Sequence, residues 1–568
     1  MGDMFSPARL AGLVTSVAPG VVALTLPHAA EPPAAYAGED NLRGNVGEFV
    51  VVNARGVALL GRIIRVELNP RDVQRADWRP GADTPDTPLG HVQLMATVNR
   101  RGGLTPGLEM QPRIGDSVYS ASPEILAGAI EGLGRGIELG TLAQLDRLKV
   151  RINPADLLGR HLAILGSTGG GKSWTMAHVV EEVCARGGRI ILLDATGEYA
   201  TLSANTTHLT ARVDEHGTGF ALPVHSMSDT DRTLFFNPSS GVQLPKLRAA
   251  ITSLRLAHAL GPGHELLDGA GNIRKDNAER APLARAERAN ATTIGDPRAP
   301  FNLGSLAFQI GYECVWTPRG NETRYGNFNN NDLGYCQPLI NRITEICSTQ
   351  AVFEFVSPSD SSVSLLKSID EWLDGTETGI LRIDLSDIPQ SHYLREITVN
   401  TLSNRLMERA RGGAFLDRPL VVGVDEAHQF IGRTLGDDLN RAQPEAFEII
   451  AKEGRKYGLT TIIATQRPGD IPSGVLSQMG CMLVHRLTER RDQEHVANAS
   501  SDLDRESARL LPTLTPGECL LVGGVLPVPF PVRIHPPAQP PRSRGPNFSA
   551  WTAREGSAAV SSFADHSA

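Results

Sequence analysis

Residues 166–173 read Gly-Ser-Thr-Gly-Gly-Gly-Lys-Ser, a spacing suited to holding phosphate. The pattern G-x-x-x-x-G-K-[ST] folds as a loop whose backbone N–H groups surround phosphate oxygens, and the dipole of the following helix adds to their pull. Gly166, Ser167, Thr168, Gly169, Gly170 and Gly171 form the cradle; the glycines allow close approach and positive φ. Lys172 is placed to reach the β- and γ-phosphates of ATP, and the Ser173 hydroxyl to sit on Mg²⁺. The loop needs a strand before it and a helix after it. His161–Leu165 reads as the strand and Trp174–Arg186 as the helix.

A second group of residues adds hydrolytic chemistry. Arg418–Val424 is a short apolar run fit for a central parallel strand, and it ends at Asp425-Glu426. An acidic residue at such a strand end holds Mg²⁺, often through water, which assigns Asp425 to the metal beside Ser173. The next carboxylate, Glu426, is placed to orient or deprotonate an attacking water. One acidic pair after one strand is ordinarily a solvated loop. Its pairing with an upstream phosphate loop favours the catalytic reading.

The bulk of the chain sets limits on this chemistry. Its 568 residues suggest about three to four domains. A composition of 41% hydrophobic and 21% charged residues is that of an ordinary globular protein. No stretch approaches the roughly 20 apolar residues of a membrane-spanning helix, and the N-terminus has no basic-then-apolar export signal. The six cysteines lie far apart without C-x-x-C spacing, which argues against zinc or a disulfide framework and suits a reducing cytoplasm. A net charge of −8 neither supports nor excludes a nucleic-acid partner, because positive charge is needed only where phosphates are touched.

The elements that must position these residues follow from the pattern of apolar runs. Residues 1–125 show short alternating strands between Gly, Pro and Asn, from Ala11–Val17 to Arg113–Tyr119, as in a small β-barrel; an α+β module is the alternative. Residues 126–200 and 379–534 alternate strands with helices, the signature of a parallel α/β sheet. Arg189–Leu193, Gly379–Leu385 and Leu459–Ala464 are further strands, the last ending at Thr465-Gln466. Polar residues at such strand ends are where these sheets bind ligands. Residues 201–378 interrupt the sheet as a largely helical insertion, with Gly320–Gly334 as an exposed loop. Glu518–Val522 and Val532–Ile534 form a C-terminal β-hairpin, and residues 535–568 read as a disordered tail.

Assembled, the motifs resemble the HerA family of hexameric DNA translocases, within the HerA/FtsK group of P-loop ATPases. The resemblance rests on His161–Ser173, Asp194-Ala-Thr-Gly-Glu-Tyr199, Glu453-Gly-Arg-Lys-Tyr-Gly458, and Ala464-Thr-Gln-Arg-Pro468 with Leu476–Gln478 and His485-Arg486. It covers the α/β core, the N-terminal barrel position and the C-terminal hairpin, most of the chain outside the insertion. It implies a RecA-like core, a homohexameric ring around double-stranded DNA, and ATP-driven translocation. It also implies a partner, either a NurA-like nuclease or an anti-phage defence effector such as a sirtuin-like protein or another nuclease. Two departures stand out, the insertion itself and Ala195-Thr196, where many members have Pro-His.

Further roles follow at the level of single residues. Arg455 is the candidate for a cation supplied to a neighbouring subunit's γ-phosphate, against the alternative of a surface arginine. Gln466 is a γ-phosphate sensor or water-positioner, against a structural amide. Asp194 and Glu198 form either a second acidic pair or an Asx turn that braces the loop. Arg160 and Arg486 are candidates for phosphate or intersubunit contacts. Lys246, Arg248, Arg255 and the Arg274–Arg288 cluster are candidates for gripping DNA or are solvated faces. The expected function is an ATP-dependent DNA translocase or helicase. The rivals are an ATP-binding scaffold that switches an effector with little translocation, and a soluble coupling ATPase of a secretion system.

Overall fold

The structure is a computed structural model. It describes residues 4–542 apart from 28, 30–33, 37–38, 42–43, 69–87, 100–102, 132–135, 144, 212–217, 318–321, 359–362, 437–444, 501, 504 and 524–527. Alternating apolar residues produce strands β1 (Leu10–Ala18), β2 (Val21–Thr25), β3 (Phe49–Ala54), β4 (Val57–Glu67), β5 (Leu89–Val98), β6 (Leu104–Pro106) and β7 (Ser117–Ser120). They run β2-β1-β7-β3-β4-β5-β6, and pairing of β2 with β5 closes a barrel. Its interior is filled by Val50, Val52, Leu59, Ile63, Val92 and Val118, none more than 1% exposed. Strand β3 is apolar on both faces for a reason. Phe49 and Val51 point the other way and join the core of the α/β unit described next, where the Phe49 ring stacks on Phe530 with centroids 5.1 Å apart.

Among the described residues the second unit is built on one 13-stranded sheet. Its strands are β8 (Ile137–Leu142), β9 (Leu145–Ile152), β10 (Leu162–Leu165), β11 (Arg189–Asp194), β12 (Thr206–Thr210), β13 (Thr218–Ala221), β14 (Val363–Ser364), β15 (Gly379–Asp384), β16 (Leu420–Val424), β17 (Leu459–Thr465), β18 (Cys481–His485), β19 (Glu518–Gly523) and β20 (Phe530–Ile534). The order is β9-β8-β20-β19-β18-β10-β17-β16-β11-β15-β12-β13-β14. From β18 to β14 every pairing is parallel. The C-terminal hairpin β19–β20 and the ribbon β8–β9 add an antiparallel flank. Strands β10, β11, β15, β16 and β17 are buried along their whole length, as both-face-covered parallel strands must be.

Three differences from the sequence expectations have physical causes. The insertion is helical in its middle, with Gln243–Leu260, Leu306–Glu313 and Asn330–Ser348 among its helices, but β12, β13 and β14 near its ends extend the main sheet. The expected loop 320–334 stops short, because Asn329 accepts hydrogen bonds from the Asn331 and Asp332 amides and so starts a helix there. The tail expected from residue 535 is ordered as far as Arg542, hydrogen-bonded to the α/β unit through His535, Ala538, Gln539 and Arg542. Proline-rich composition hid this, since the strap is held by contacts rather than by its own secondary structure. Residues 543–568 lie outside the described residues.

Candidate nucleotide site

Strand β10 delivers the phosphate loop, and helix α1 (Lys172–Ala185) leaves it. Gly171 caps the helix at φ 107°, a left-handed conformation that glycine tolerates. Gly166 is required for space, since a Cβ there would lie 2.6 Å from the Cβ of His485. The amide and hydroxyl of Ser167 both donate to the Arg486 carbonyl, at 2.8 and 2.9 Å, and tie the loop to the end of β18. Thr168 donates to the Gln466 side-chain oxygen at 2.6 Å. Lys172 Nζ donates to the Ser167 carbonyl at 3.3 Å.

Sheet order brings the acids to this loop. Strand β17 lies between β10 and β16, so Asp425-Glu426 at the end of β16 and Gln466 at the end of β17 all face the same edge. Asp425 is 2% exposed and accepts from the Glu426 amide at 2.9 Å and the Tyr199 hydroxyl at 3.1 Å. Burial, with the neighbouring Glu426 charge, pushes its pKa up to about 7. Glu426 sits at φ 46°, an uncommon conformation for a residue with a side chain. Its carboxyl is raised by burial, a shift that the Lys172 ammonium opposes. Its Oε2 is buried without a hydrogen-bond partner, although His428 Nδ1 lies 3.3 Å away. Burial lowers the Lys172 pKa, and Glu426, Asp425 and Glu198 act against that shift.

A cleft of about 590 Å³ opens at this edge. Thr168, Lys172, Ser173, Glu198, Glu426 and Gln466 line it, with Asp425 buried behind the wall. The phosphate loop, the candidate base and Gln466 therefore share one site. The pair Asp194/Glu198 divides. Asp194 Oδ1 accepts from the amides of Thr196, Gly197 and Glu198, Oδ2 from that of Tyr199, and Arg382 pairs with it at 2.7 Å. Asp194 is thus a structural brace, and Glu198 alone reaches the cleft.

Arg455 is not brought to its own chain's phosphate loop. It precedes β17, whose 7 residues separate it from Gln466, a span of roughly 20 Å at strand rise. It lines a second cleft of about 560 Å³ at the amino-terminal edge of the sheet, with Arg160, His161, Lys452 and Gln478. Several basic residues of the insertion are committed internally. Lys246 bonds the Glu313 carbonyl and Asp332, Arg255 the Pro297 carbonyl, and Lys275 the Glu313 carboxylate. Arg280, Arg285 and Arg288 are exposed.

Sequence reasoning gave no role to two residues that hold the site. His485 is buried beneath the loop. Its Nδ1 is 2.8 Å from the Glu518 carbonyl, which can only accept, so Nδ1 carries the hydrogen and Nε2 accepts from Thr175 Oγ1 at 2.9 Å. Burial lowers its pKa to about 4, which keeps it neutral. Arg382, 1% exposed, bridges Asp194 and Asp384 across β11 and β15. Unbroken apolar flanks around Arg382 were the available signal, since an arginine inside a buried strand requires a carboxylate.

The chain is similar in sequence to proteins of known family. Residues 137–268 match the family model "Helicase HerA, central domain". The chain is 24% identical over 434 residues to the DNA double-strand break repair helicase HerA of Saccharolobus solfataricus, covering 76% of this chain and 72% of that one. It is 26% identical over 501 residues to the protein of the same name from Sulfolobus acidocaldarius, covering 86% and 88%. Among solved structures, VirB4 of Thermoanaerobacter pseudethanolicus aligns at TM-score 0.47 and 14% identity, over 71% of this chain and 96% of that one. The HerA resemblance read from the motifs therefore extends over most of the chain.

Proposed function

We propose that this HerA-like chain is an Mg²⁺-dependent ATP hydrolase that uses turnover to move along double-stranded DNA, as a homohexameric ring. The observation that carries the reading is the convergence of Lys172, Ser173, Glu426 and Gln466 on one cleft, set by the order β10-β17-β16. The loop fits a polyphosphate, since its backbone is bare at Gly166 and Gly171, where a Cβ would crowd His485 and Gly517. Ser173 and Asp425 are the residues to hold Mg²⁺, which binds through few protein ligands plus phosphates and water; the ion would neutralise charge on the transferring phosphate. Among the described residues no cluster of three or more His, Cys, Asp or Glu offers a site for a more heavily ligated metal.

In this reading Lys172 holds the γ-phosphate and Glu426 accepts the proton from a water whose oxygen bonds the γ-phosphorus. The bond from that phosphorus to the β–γ bridging oxygen breaks, and ADP leaves with those electrons. Thr168 and Gln466 are positioned to report the γ-phosphate to β17, and Arg455 acts on the adjoining subunit. A nuclease or defence effector receives the DNA or the motion, in the cytoplasm. Among the described residues no helix is long and apolar enough to cross a membrane.

The test is ATP hydrolysis with and without linear double-stranded DNA. Stimulation by DNA is expected in the wild type. Lys172→Ala should lose it, and Glu426→Gln should still bind ATP but turn over about 10²–10⁴-fold more slowly. Turnover indifferent to DNA would replace the motor with the scaffold reading, and near-normal turnover in Glu426→Gln would remove the assigned base.

A further inference from the structure

Between the insertion and the helices that cover the sheet lies a second kind of cleft, of about 820 Å³, which shares no residue with the ATP cleft. The insertion supplies one wall, with Met227, Arg255 of helix Gln243–Leu260 and the loop Gly295–Arg298. The other wall is a face of helix Leu394–Arg411, where Asn404, Met407 and Arg411 recur at three- and four-residue spacing. Ile449 of helix Ala446–Glu453 stands beside it. Arg255 is left unbalanced in this cleft. It is 8% exposed, and among the described residues no carboxylate pairs with it. Its Nη2 donates to the Pro297 carbonyl at 2.5 Å, and its Nε is buried without an acceptor. Asp229 is engaged instead by Arg232 at 2.7 Å and Arg248 at 3.6 Å. Burial and the Arg232 charge both lower the Arg255 pKa, against Asp229 and Asp296. A buried arginine without an acid is costly until an anion meets it. Asn404, half-buried, offers the same cleft a side-chain amide with no hydrogen-bond partner among the described residues.

We propose that this cleft binds a nucleoside monophosphate, with its phosphate on Arg255, its base against Met227, Met407 and Ile449, and the base edge on Asn404. The volume lies in the range of small-ligand sites, about 300–1,000 Å³. The walls place three chemistries in one space. A guanidinium fork matches phosphate oxygens in pairs. Methionine side chains are polarisable and adapt to the face of a flat ring. An amide carries a donor and an acceptor side by side, as a base edge does. A bare inorganic anion would leave the apolar wall wet, and a purely apolar ligand would leave Arg255 without an acid. The site also touches moving parts of the reaction. Arg298 pairs with Glu408 at 2.5 Å and ties the two walls at the rim. Arg411 pairs at 3.1 Å with Glu453, the last residue of the helix that runs directly into the turn carrying Arg455. A ligand seated here therefore bears on the element that presents Arg455.

Calorimetry on the full chain carrying Lys172→Ala, which is expected to empty the phosphate loop, tests the site. The probes are AMP, GMP, CMP, UMP and inorganic phosphate. At least one monophosphate should bind, about tenfold or more tighter than inorganic phosphate. Arg255→Met keeps the apolar stem of the side chain and should weaken that monophosphate about tenfold or more. Asn404→Ala removes only an unbonded amide, so it tests the cleft even if Arg255→Met does not fold. It should weaken the same monophosphate about fivefold to tenfold and reduce the preference among bases. Binding of no monophosphate, or binding no tighter than that of inorganic phosphate, would overturn the proposal. An affinity that Asn404→Ala leaves unchanged would overturn it as well, because the ligand would then sit elsewhere.

Discussion

Asp425 shows what burial does to a carboxylate at a strand end. Its pKa of about 7 lies above the ordinary aspartate value of 3.8, so the folded state holds its proton more tightly than the unfolded state. The sign follows from linkage: stability from this group is full below the unfolded value and is lost as pH rises through about 7. Asp425→Asn should therefore stabilise the nucleotide-free protein at pH 8, on the order of 1–2 kcal/mol after relaxation is allowed for, and do little at low pH. Thermal melts at pH values on either side of the transition check this; a destabilised variant at pH 8 would mean that Asp425 is charged and well paired there. The same group should make Mg·ATP binding strengthen as pH rises toward 8, because the ion needs the carboxylate.

At the scale of elements, the brace between β11 and β15 decides whether the acidic loop is held. Arg382 sits between Asp194 and Asp384, and Asp194 in turn collects four backbone amides. Arg382→Ala leaves two buried carboxylates without their cation and should cost about 3–5 kcal/mol. Arg382→Met with Asp194→Asn should recover part of that loss, measured by urea denaturation. If the single variant melts like the wild type, the brace is not what holds residues 194–199. The motif Asp194–Tyr199 was visible in sequence, but its work was not. The choice between an Asx turn and a second catalytic acid depended on Arg382, 188 residues away.

At the scale of the whole molecule, the sheet presents clefts at two opposite edges. The phosphate loop, Glu426 and Gln466 occupy one, and Arg455 with Arg160 the other. A cation so placed can serve a phosphate only on another copy, which gives a test by mixing. Lys172→Ala and Arg455→Ala proteins should each be nearly inactive, the latter by about 10³–10⁵-fold if the arginine acts as such cations do in GTPases. In the proposed ring, a mixture of the two would contain interfaces where an intact Lys172 meets an intact Arg455, so ATPase activity should reappear on co-assembly. Absence of recovery in rings shown to be mixed would return Arg455 to a surface role.

Local structure was legible in the sequence because it is local. The phosphate loop, the strand ending at Asp425-Glu426 and the barrel's alternating strands each follow from spacing within a few residues, where backbone geometry leaves few choices. Tertiary structure decided what depends on distant partners: β17 seated between β10 and β16, His485 under Gly166, Arg382 on Asp194, and the proline-rich strap pinned by Glu181. Those contacts join residues tens to hundreds of positions apart, and residue types alone do not choose a partner at that range. Composition suggested that residues 535–542 would be loose because a segment's own hydropathy does not reveal hydrogen-bond acceptors supplied by another element.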